Sequence, residues 1–183
     1  VACFVLGSLF DRRGQKQDAT TLLRRALERD PGNAGLHHYL GVVLGSMNEC
    51  SLAEGALREA VRLNPTDPEI RVSLGRIFFA QNKLAESREA YSQCLRLCPK
   101  HLAALEGLGD VSLRENRKPA AEHFYRSALR ADSGSAPLLN KLANVLAQRG
   151  SLAEAEECYR KALALAPDFA DAHFNLGSAC GRA

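Results

Sequence analysis

The sequence predicts an all-α fold, a right-handed superhelical solenoid of antiparallel helix pairs, on two observations. Prolines recur every 34 residues, at Pro31, Pro65, Pro99 and Pro167, and Ser133 occupies the one place in this series without a proline. A leucine followed by a small residue recurs at the same spacing, at Leu6-Gly7, Leu40-Gly41, Leu74-Gly75, Leu108-Gly109, Leu142-Ala143 and Leu176-Gly177. Such a period is typical of helix-turn-helix repeats, which bury their apolar faces against their neighbours.

The first helix of each period carries one buried apolar stripe, as in Leu36, Tyr39 and Val43. It is predicted to end at a glycine or asparagine, which tolerate the left-handed backbone just past a helix end. These residues are Gly14, Asn48, Asn82, Asn116 and Gly150, again 34 residues apart. The predicted first helices are 1–13, 35–47, 69–81, 103–115, 137–149 and 171–182.

The second helix alternates small and bulky residues, as in Ala53, Leu57 and Ala60. The small residues allow a close approach to the first helix, and the bulky one fills the space between turns. Proline then ends the helix, because it lacks an N–H and clashes with the preceding turn. Pro119 instead falls in the first turn of its helix, where proline is tolerated. The predicted second helices are 17–30, 51–64, 84–98, 119–132 and 152–166.

Composition excludes several classes of protein. The 183 residues carry a net charge of only +3 with both signs interspersed, so nucleic acid is not an expected partner. No apolar run approaches the roughly 20 residues that cross a bilayer, so we predict no membrane insertion. The apolar start, Val1 to Phe10, lacks a basic leader and fits the repeat phase, so we interpret it as a helix and not a signal peptide.

The six cysteines raise the question of a metal site. Cys94, Cys98 and His101 could converge at the end of one helix, but a structural zinc usually has four protein ligands and no fourth is apparent. Cys3, Cys94 and Cys180 occupy core positions of the repeat, where cysteine acts as a small hydrophobic residue. We therefore predict no metal. Unpaired cysteines favour a reducing compartment, and we predict a cytoplasmic location.

No catalytic arrangement is found. The sequence lacks Gly-x-Ser-x-Gly and His-Glu-x-x-His motifs, and its glycines belong to the packing positions and the turns. His37 and His38 are adjacent and must point to different sides of their helix, and His37 is predicted to face the inter-helix core. We predict a protein that is not an enzyme and needs no cofactor.

These residues resemble the tetratricopeptide repeat family, whose pattern is W-x2-L-G-x2-Y followed by A-x3-F, A and P. The resemblance covers the whole chain as a single array, which the phase predicts to be part of a longer protein. Its repeats are 1–33, 34–67, 68–101, 102–135 and 136–169, followed by a lone first helix, 170–183. The family's tryptophan is replaced by Cys3, His37, Arg71, Leu105, Leu139 and His173.

The resemblance implies that first helices line a concave groove that holds an extended peptide or a helix. The apolar N-terminal part of this groove would comprise Phe4, Val5, Ser8, His38, Tyr39, Val42, Val72, Ser73, Arg76 and Phe79. The polar C-terminal part would comprise Glu106, Asp110, Arg114, Asn140, Lys141, Asn144, Phe174, Asn175 and Ser178. The alternative is that Phe4 and Val5 pack on a preceding repeat, and that Tyr39 and Phe79 serve lateral packing.

Two known subfamilies match poorly. The carboxylate clamp of chaperone cochaperones finds its nearest match in Asn140, Asn144 and Asn175 but lacks the first lysine. The asparagine ladder of O-linked N-acetylglucosamine transferases is reduced to Asn175 alone. We therefore expect a non-enzymatic scaffold that binds a peptide or protein segment. The alternatives are a substrate-recruiting or regulatory region of an enzyme such as a glycosyltransferase, and a self-assembly module that forms a homo-oligomer through uncapped ends.

Overall fold

The computed structural model describes residues 15–180, and within that range all regular secondary structure is helical. Ten helices in this range alternate in chain order between the second and first helices of successive repeats. They are α1 (Lys16–Arg29), α2 (Ala34–Ser46), α3 (Cys50–Leu63), α4 (Pro68–Ala80), α5 (Leu84–Leu97), α6 (Leu102–Arg114), α7 (Lys118–Ala131), α8 (Ala136–Gln148), α9 (Leu152–Leu165) and α10 (Ala170–Cys180). The predicted helix 1–13 and the turn at Gly14 lie outside the described residues.

The observed helices match the predicted ones to within two residues, and most begin one residue earlier. Polar side chains cap three of them, α2, α4 and α8. The Asn33 side chain accepts a hydrogen bond from the Leu36 N–H at 3.1 Å, and Asp67 accepts one from the Glu69 N–H at 2.9 Å. These caps satisfy N–H groups that have no partner inside the helix. Apolar spacing alone does not locate such a cap.

The predicted interhelical turns are confirmed. Asn48, Asn82 and Asn116 have φ values of 63°, 59° and 58°, and Gly150 has a φ of 84°. Asparagine and glycine adopt this left-handed conformation at little cost, so the turn reverses the chain within a few residues.

The chain divides into two compact units, Val1–Leu97 and Cys98–Ala183. The described helices of unit 1 are α1–α5, and those of unit 2 are α6–α10. In unit 1, α2 pairs with α3 and α4 with α5, while α3 also contacts α4. In unit 2, α6 pairs with α7 and α8 with α9, while α7 contacts α8 and α9 contacts α10. Each unit is thus a stack of antiparallel helix pairs, as predicted.

In three of the described pairs, a glycine of the first helix receives the bulky side chain of the second, whereas α8 carries Ala143 at this position. A Cβ atom added at Gly41 would lie 2.5 Å from Leu57 Cγ, and one at Gly75 would lie 2.7 Å from Tyr91 Cε1. The flanking small residues Ala53 and Ala60 are fully buried. A side chain at Gly41 or Gly75 would have to displace Leu57 or Tyr91, which explains why a small residue recurs after the leucine.

The residues at the position of the family tryptophan form hydrogen bonds that connect the first helix to the turn before it. His37 Nε2 lies 3.0 Å from the Pro31 carbonyl oxygen, and His173 Nε2 lies 2.7 Å from that of Pro167. Arg71 donates to the Pro65 carbonyl in the same way. The prediction that His37 faces the core is therefore wrong: its ring is half-buried and turned toward the proline carbonyl.

None of the helices within residues 15–180 combines the length and the apolar character needed to span a membrane.

Candidate functional site

The surface formed by the first helices is the candidate binding site. In unit 1 it is carried by α2 and α4, and in unit 2 by α6, α8 and α10. The predicted site residues Phe4, Val5 and Ser8 lie outside the described residues.

In unit 1 the predicted residues differ in accessibility. The Val42 side chain is 40% exposed, Arg76 is exposed, and His38, Tyr39 and Phe79 are half-buried. Val72 is only 1% exposed, on a different side of α4 from Ile70 and Leu74, so α4 is buried on more than one side. Val72 therefore offers no surface to a ligand, which corrects its assignment to the groove.

His38 joins α2 to α4, the first helices among the described residues of unit 1. Its Nε2 lies 2.8 Å from the Ser73 hydroxyl oxygen on α4. Burial lowers the pKa of His38, and the nearby carboxylates of Asp67 and Glu69 only partly oppose this shift. The imidazole is thus held neutral, and its bond to Ser73 fixes α2 against α4.

Tyr39 supports both interpretations made from the sequence. Its ring packs against the core of unit 1, as the lateral-packing alternative predicts, while part of it stays accessible to solvent. Val42, one turn further along α2, is exposed to a larger fraction than Tyr39.

In unit 2 an ionic cluster occupies the surface formed by the first helices of that unit. Lys141 Nζ on α8 lies 2.8 Å from Glu106 Oε1 and 2.8 Å from Asp110 Oδ2, both on α6. Burial alone would lower the pKa of Lys141, but hydrogen bonds to Asp110 and Glu106 outweigh it and raise the pKa. The lysine stays charged, and the two carboxylates hold it between the two helices.

Tyr125 completes this cluster from the second helix α7. Its hydroxyl group donates a hydrogen bond to Asp110 Oδ1 at 2.6 Å. Burial raises the pKa of Tyr125, and the hydrogen bond to Asp110 raises it further, so the phenol remains a donor. One repeat later, the Tyr159 hydroxyl donates to Asn144 Oδ1 at 2.6 Å.

These tyrosine hydroxyls were missed by the sequence analysis, which interpreted the residues only as bulky fillers. The sequence does contain a pattern that could have predicted them. Tyrosine replaces leucine at positions 91, 125 and 159, and a polar residue follows the Leu-Gly or Leu-Ala pair of each partner helix. A tyrosine in that position passes beneath the first helix, and its hydroxyl reaches the polar residue on the other side.

Asn140 is a second correction. It is 7% exposed, and its Oδ1 accepts a hydrogen bond at 3.1 Å from Asn175 Nδ2 on the next first helix. Asn140 therefore positions Asn175 and is not itself accessible to a ligand. Asn175 and Asn144 are half-buried, Arg114 is exposed, and the Phe174 side chain is 75% exposed.

Three of the lateral bonds share one spacing, whereas the contact of Lys141 with Asp110 joins residues that are 31 apart. His38–Ser73, Glu106–Lys141 and Asn140–Asn175 each join residues that are 35 apart. Because the repeat is 34 residues long, each of these side chains bonds to the residue that follows its own equivalent on the next first helix. These lateral bonds hold polar side chains of the first-helix surface in fixed positions within each unit.

No group of three or more histidine, cysteine, aspartate or glutamate side chains between residues 15 and 180 is arranged to hold a metal ion. Cys94 is fully buried in the described chain, as predicted for a core position.

Family models of one kind match most of the chain. A tetratricopeptide repeat model matches residues 40–101 and 88–136, a second matches residues 2–35, and a TPR repeat model matches residues 143–182. The comparison with curated proteins gave no match.

Solved structures agree with the fold. TTC0263, a thermophilic TPR protein of Thermus thermophilus, has 21% identity and a TM-score of 0.79, covering 98% of this chain and 97% of its own. PilW, a type IV pilus biogenesis factor, has 21% identity and a TM-score of 0.89, covering 100% and 86%. YrrB, described as a TPR protein with an unusual peptide-binding site, has 19% identity and a TM-score of 0.72, covering 87% and 82%. At these identities the likeness concerns the fold alone.

Proposed function

The chain belongs to the tetratricopeptide repeat family, and from this membership we propose that it is a non-enzymatic scaffold that binds a peptide or protein segment on its first-helix surface. Proteins of this family are generally protein–protein interaction modules. YrrB, which shares the fold, is described as having a peptide-binding site.

The observation that carries the proposal is the fixed placement of polar groups on this surface. In unit 2, Lys141 is held by Glu106 and Asp110, and Asp110 is held in turn by Tyr125. Side chains that are already ordered lose little conformational entropy when a ligand binds, so their contacts contribute more to affinity.

Unit 1 offers a different chemistry on the same surface. Val42 is exposed beside the half-buried Tyr39, and Arg76 is exposed on the neighbouring first helix. Apolar and aromatic groups next to an arginine are the usual anchors of protein interfaces. A peptide that binds unit 1 should therefore carry an apolar residue near an acidic one.

The proposal is tested in two steps. Light scattering across a concentration series should first show a monomer, because self-assembly through this surface would block it. Peptides are then selected from a displayed random library against the 183-residue chain, and their affinity is measured by fluorescence anisotropy.

Val42→Asp and Arg76→Glu should each lower the affinity for a selected peptide that binds unit 1 by about tenfold, or about 1.4 kcal/mol. Leu52→Asp is the matched control, because Leu52 is an exposed apolar residue (53%) on the second helix α3. Circular dichroism should first show that all three variants fold. An equal loss of affinity in all three variants, or no loss in any of them, would contradict the assignment of the first-helix surface as the binding site.

A further inference from the structure

The first helix α10 has a side that no second helix covers in the described part of the chain. Its contacts are with α8 and α9, against which Ala172 is fully buried and Ala179 is 6% exposed. Gly177 is exposed instead, and a Cβ atom added to it would have no atom of the described residues within 4 Å. We call the side of α10 that carries Leu176 and Gly177 the open face.

The same positions are covered in the other described first helices. The leucines equivalent to Leu176 are at most 9% exposed, and they are Leu40, Leu74, Leu108 and Leu142. Leu176 itself is only half-buried. The glycine at the position of Gly177 is Gly109 in α6, where an added Cβ would collide with the ring of Tyr125. The open face is therefore the packing surface of a first helix without the second helix that fills it.

The second helices α3, α5, α7 and α9 show what fits such a surface. Each carries a small residue, a leucine or tyrosine four positions later, and another small residue three positions after that. These residues are Ala53, Leu57 and Ala60; Ser87, Tyr91 and Cys94; Ala121, Tyr125 and Ala128; and Ala155, Tyr159 and Ala162. All of them are at most 3% exposed, so this pattern forms the contact with the first helix.

Ser178 makes tyrosine the better bulky residue for the open face. It occupies in α10 the position of Asp110 in α6, whose Oδ1 accepts a hydrogen bond from the Tyr125 hydroxyl at 2.6 Å. The Ser178 side chain is exposed, and its hydroxyl oxygen can accept the same bond. A leucine in place of the tyrosine would fill the space but offer no donor.

We propose that the open face of α10 binds a helix of a partner protein that carries the pattern Ala-x3-Tyr-x2-Ala. This helix would lie antiparallel to α10, with its tyrosine ring over Gly177 and its hydroxyl donated to Ser178. Docking of a helix through its apolar face is a common mode of recognition. Because α8 and α9 already hold α10, the face is ordered before the helix binds, which favours affinity.

The source of the helix follows from the packing of the chain itself. In a second copy of the chain, α3, α5, α7 and α9 are already packed against their own first helices. The remaining second helix, α1, carries Leu23 where the pattern has tyrosine. A separate partner protein is therefore the better source. The open face is a different side of α10 from Phe174 and Asn175, so this inference does not depend on the proposed function.

A synthetic copy of α7, Lys118–Ala131, is the probe, because it carries the pattern and packs on a glycine within the chain. Its binding to the 183-residue chain is measured by fluorescence anisotropy. A peptide with Tyr125→Ala and one with Ala121→Leu should each bind about tenfold more weakly. Alanine and leucine are both strong helix formers, so neither loss can be attributed to a less helical peptide. The unchanged peptide should also slow hydrogen exchange in α10 and not in α2.

Gly177→Leu tests the location. Its side chain would occupy the place of the tyrosine ring and should lower the affinity for the peptide about tenfold or more. The variant should fold, because the space is free and leucine is a better helix former than glycine. Gly55→Leu is the matched control, because Gly55 on α3 is exposed with equally free space, and it should leave the affinity unchanged. Val42→Asp on the first-helix surface should also leave it unchanged, which separates this site from the proposed function.

Four results would overturn the proposal. The first is equal affinity for the three peptides or no binding of the unchanged one, and the second is an equal loss from Gly177→Leu and Gly55→Leu. The third is self-association, seen by sedimentation, that Gly177→Leu abolishes, since a second copy of the chain would then occupy the open face. The fourth is binding to the 183-residue chain that is lost in the polypeptide expressed from the natural gene, since a segment of the same polypeptide would then cover the face.

Discussion

At the scale of single residues, Tyr125 links the interior of unit 2 to its first-helix surface. Its ring packs against Gly109, where an added Cβ would collide with it, and its hydroxyl emerges beside Asp110. A leucine in this position, as at Leu57 in unit 1, fills the space but supplies no hydrogen bond. The tyrosine thus serves packing and surface chemistry together.

Tyr125→Phe should lower the free energy of unfolding by about 1–2 kcal/mol, because a hydrogen bond to a charged acceptor is lost while the ring still fills its space. Urea denaturation followed by circular dichroism measures the change. Tyr159→Phe is the comparison. The Tyr159 hydroxyl donates to the neutral Asn144, so its removal should lower the free energy of unfolding by less. A larger loss in Tyr159→Phe would contradict the role of the charge.

Two glycines allow the close-packing argument to be tested with the same substitution. Gly75→Ala should destabilise the protein by about 1–3 kcal/mol, because its Cβ would lie 2.7 Å from Tyr91 Cε1 in a filled core. Gly55→Ala should stabilise it by about 0.5–1 kcal/mol, because nothing lies within 4 Å and alanine is the better helix former. Thermal unfolding measures both. A stabilising Gly75→Ala would show that the ring of Tyr91 moves aside easily.

His38 should make the stability of the protein depend on pH. Burial lowers the pKa of His38 in the folded chain, whereas in the unfolded chain it has the ordinary value of about 6.5. The unfolded state then binds the proton more readily, so this contribution is present above about pH 6.5 and is lost as the pH falls toward the folded pKa.

Urea denaturation between pH 7.5 and 5 would measure this loss, and His38→Gln should reduce it. The His123→Gln control keeps His38 and its burial and should keep the loss. An identical pH profile in wild type and His38→Gln would contradict the assignment.

At the scale of helices, a polar side chain caps the first turn of some elements and not of others. The periodicity of leucines and alanines predicts each helix to within one or two residues, but it cannot show which polar residue closes the first turn. Asn33, Asp67 and Ser135 do so for α2, α4 and α8. The turns were predicted correctly because they require a positive φ, which asparagine and glycine adopt readily. This preference is local and does not depend on tertiary contacts.

Asn33→Ala should lower the free energy of unfolding by about 1 kcal/mol, because the Leu36 N–H loses the acceptor that lies 3.1 Å away. Asn33→Asp keeps an acceptor at the N-terminus of α2 and should retain most of the stability. Urea denaturation distinguishes the two variants. Equal losses from both would show that the cap hydrogen bond does not stabilise α2.

The candidate site was less predictable than the helices. The sequence places Asp110 and Lys141 on the same surface, but it does not show that they bond to each other. It cannot distinguish Val42, which is exposed, from Val72, which is buried, because both stand on first helices and only tertiary packing separates them. The 35-residue offset of the lateral bonds is visible only when neighbouring helices are in place.

At the scale of the whole molecule, the repeat architecture makes stability local. Each helix pair packs only against its neighbours, so the free energy of folding is roughly a sum of repeat and interface contributions. The repeat boundaries proposed from the sequence stay a prediction, whereas the division into Val1–Leu97 and Cys98–Ala183 suggests where cooperativity weakens. A disturbance confined to one unit should therefore leave much of the other intact.

Gly109→Ala tests this expectation. The added Cβ would collide with the ring of Tyr125, which is fully buried between α6 and α7, and should destabilise unit 2 by about 1–3 kcal/mol. Hydrogen exchange measured by mass spectrometry should then show faster exchange in α6, α7 and α8, with α2 and α3 still protected. Because exchange is followed peptide by peptide, wild type and variant can be compared helix by helix. A uniform increase over both units would instead mean that the chain unfolds as one cooperative body, and the local account of its stability would fail.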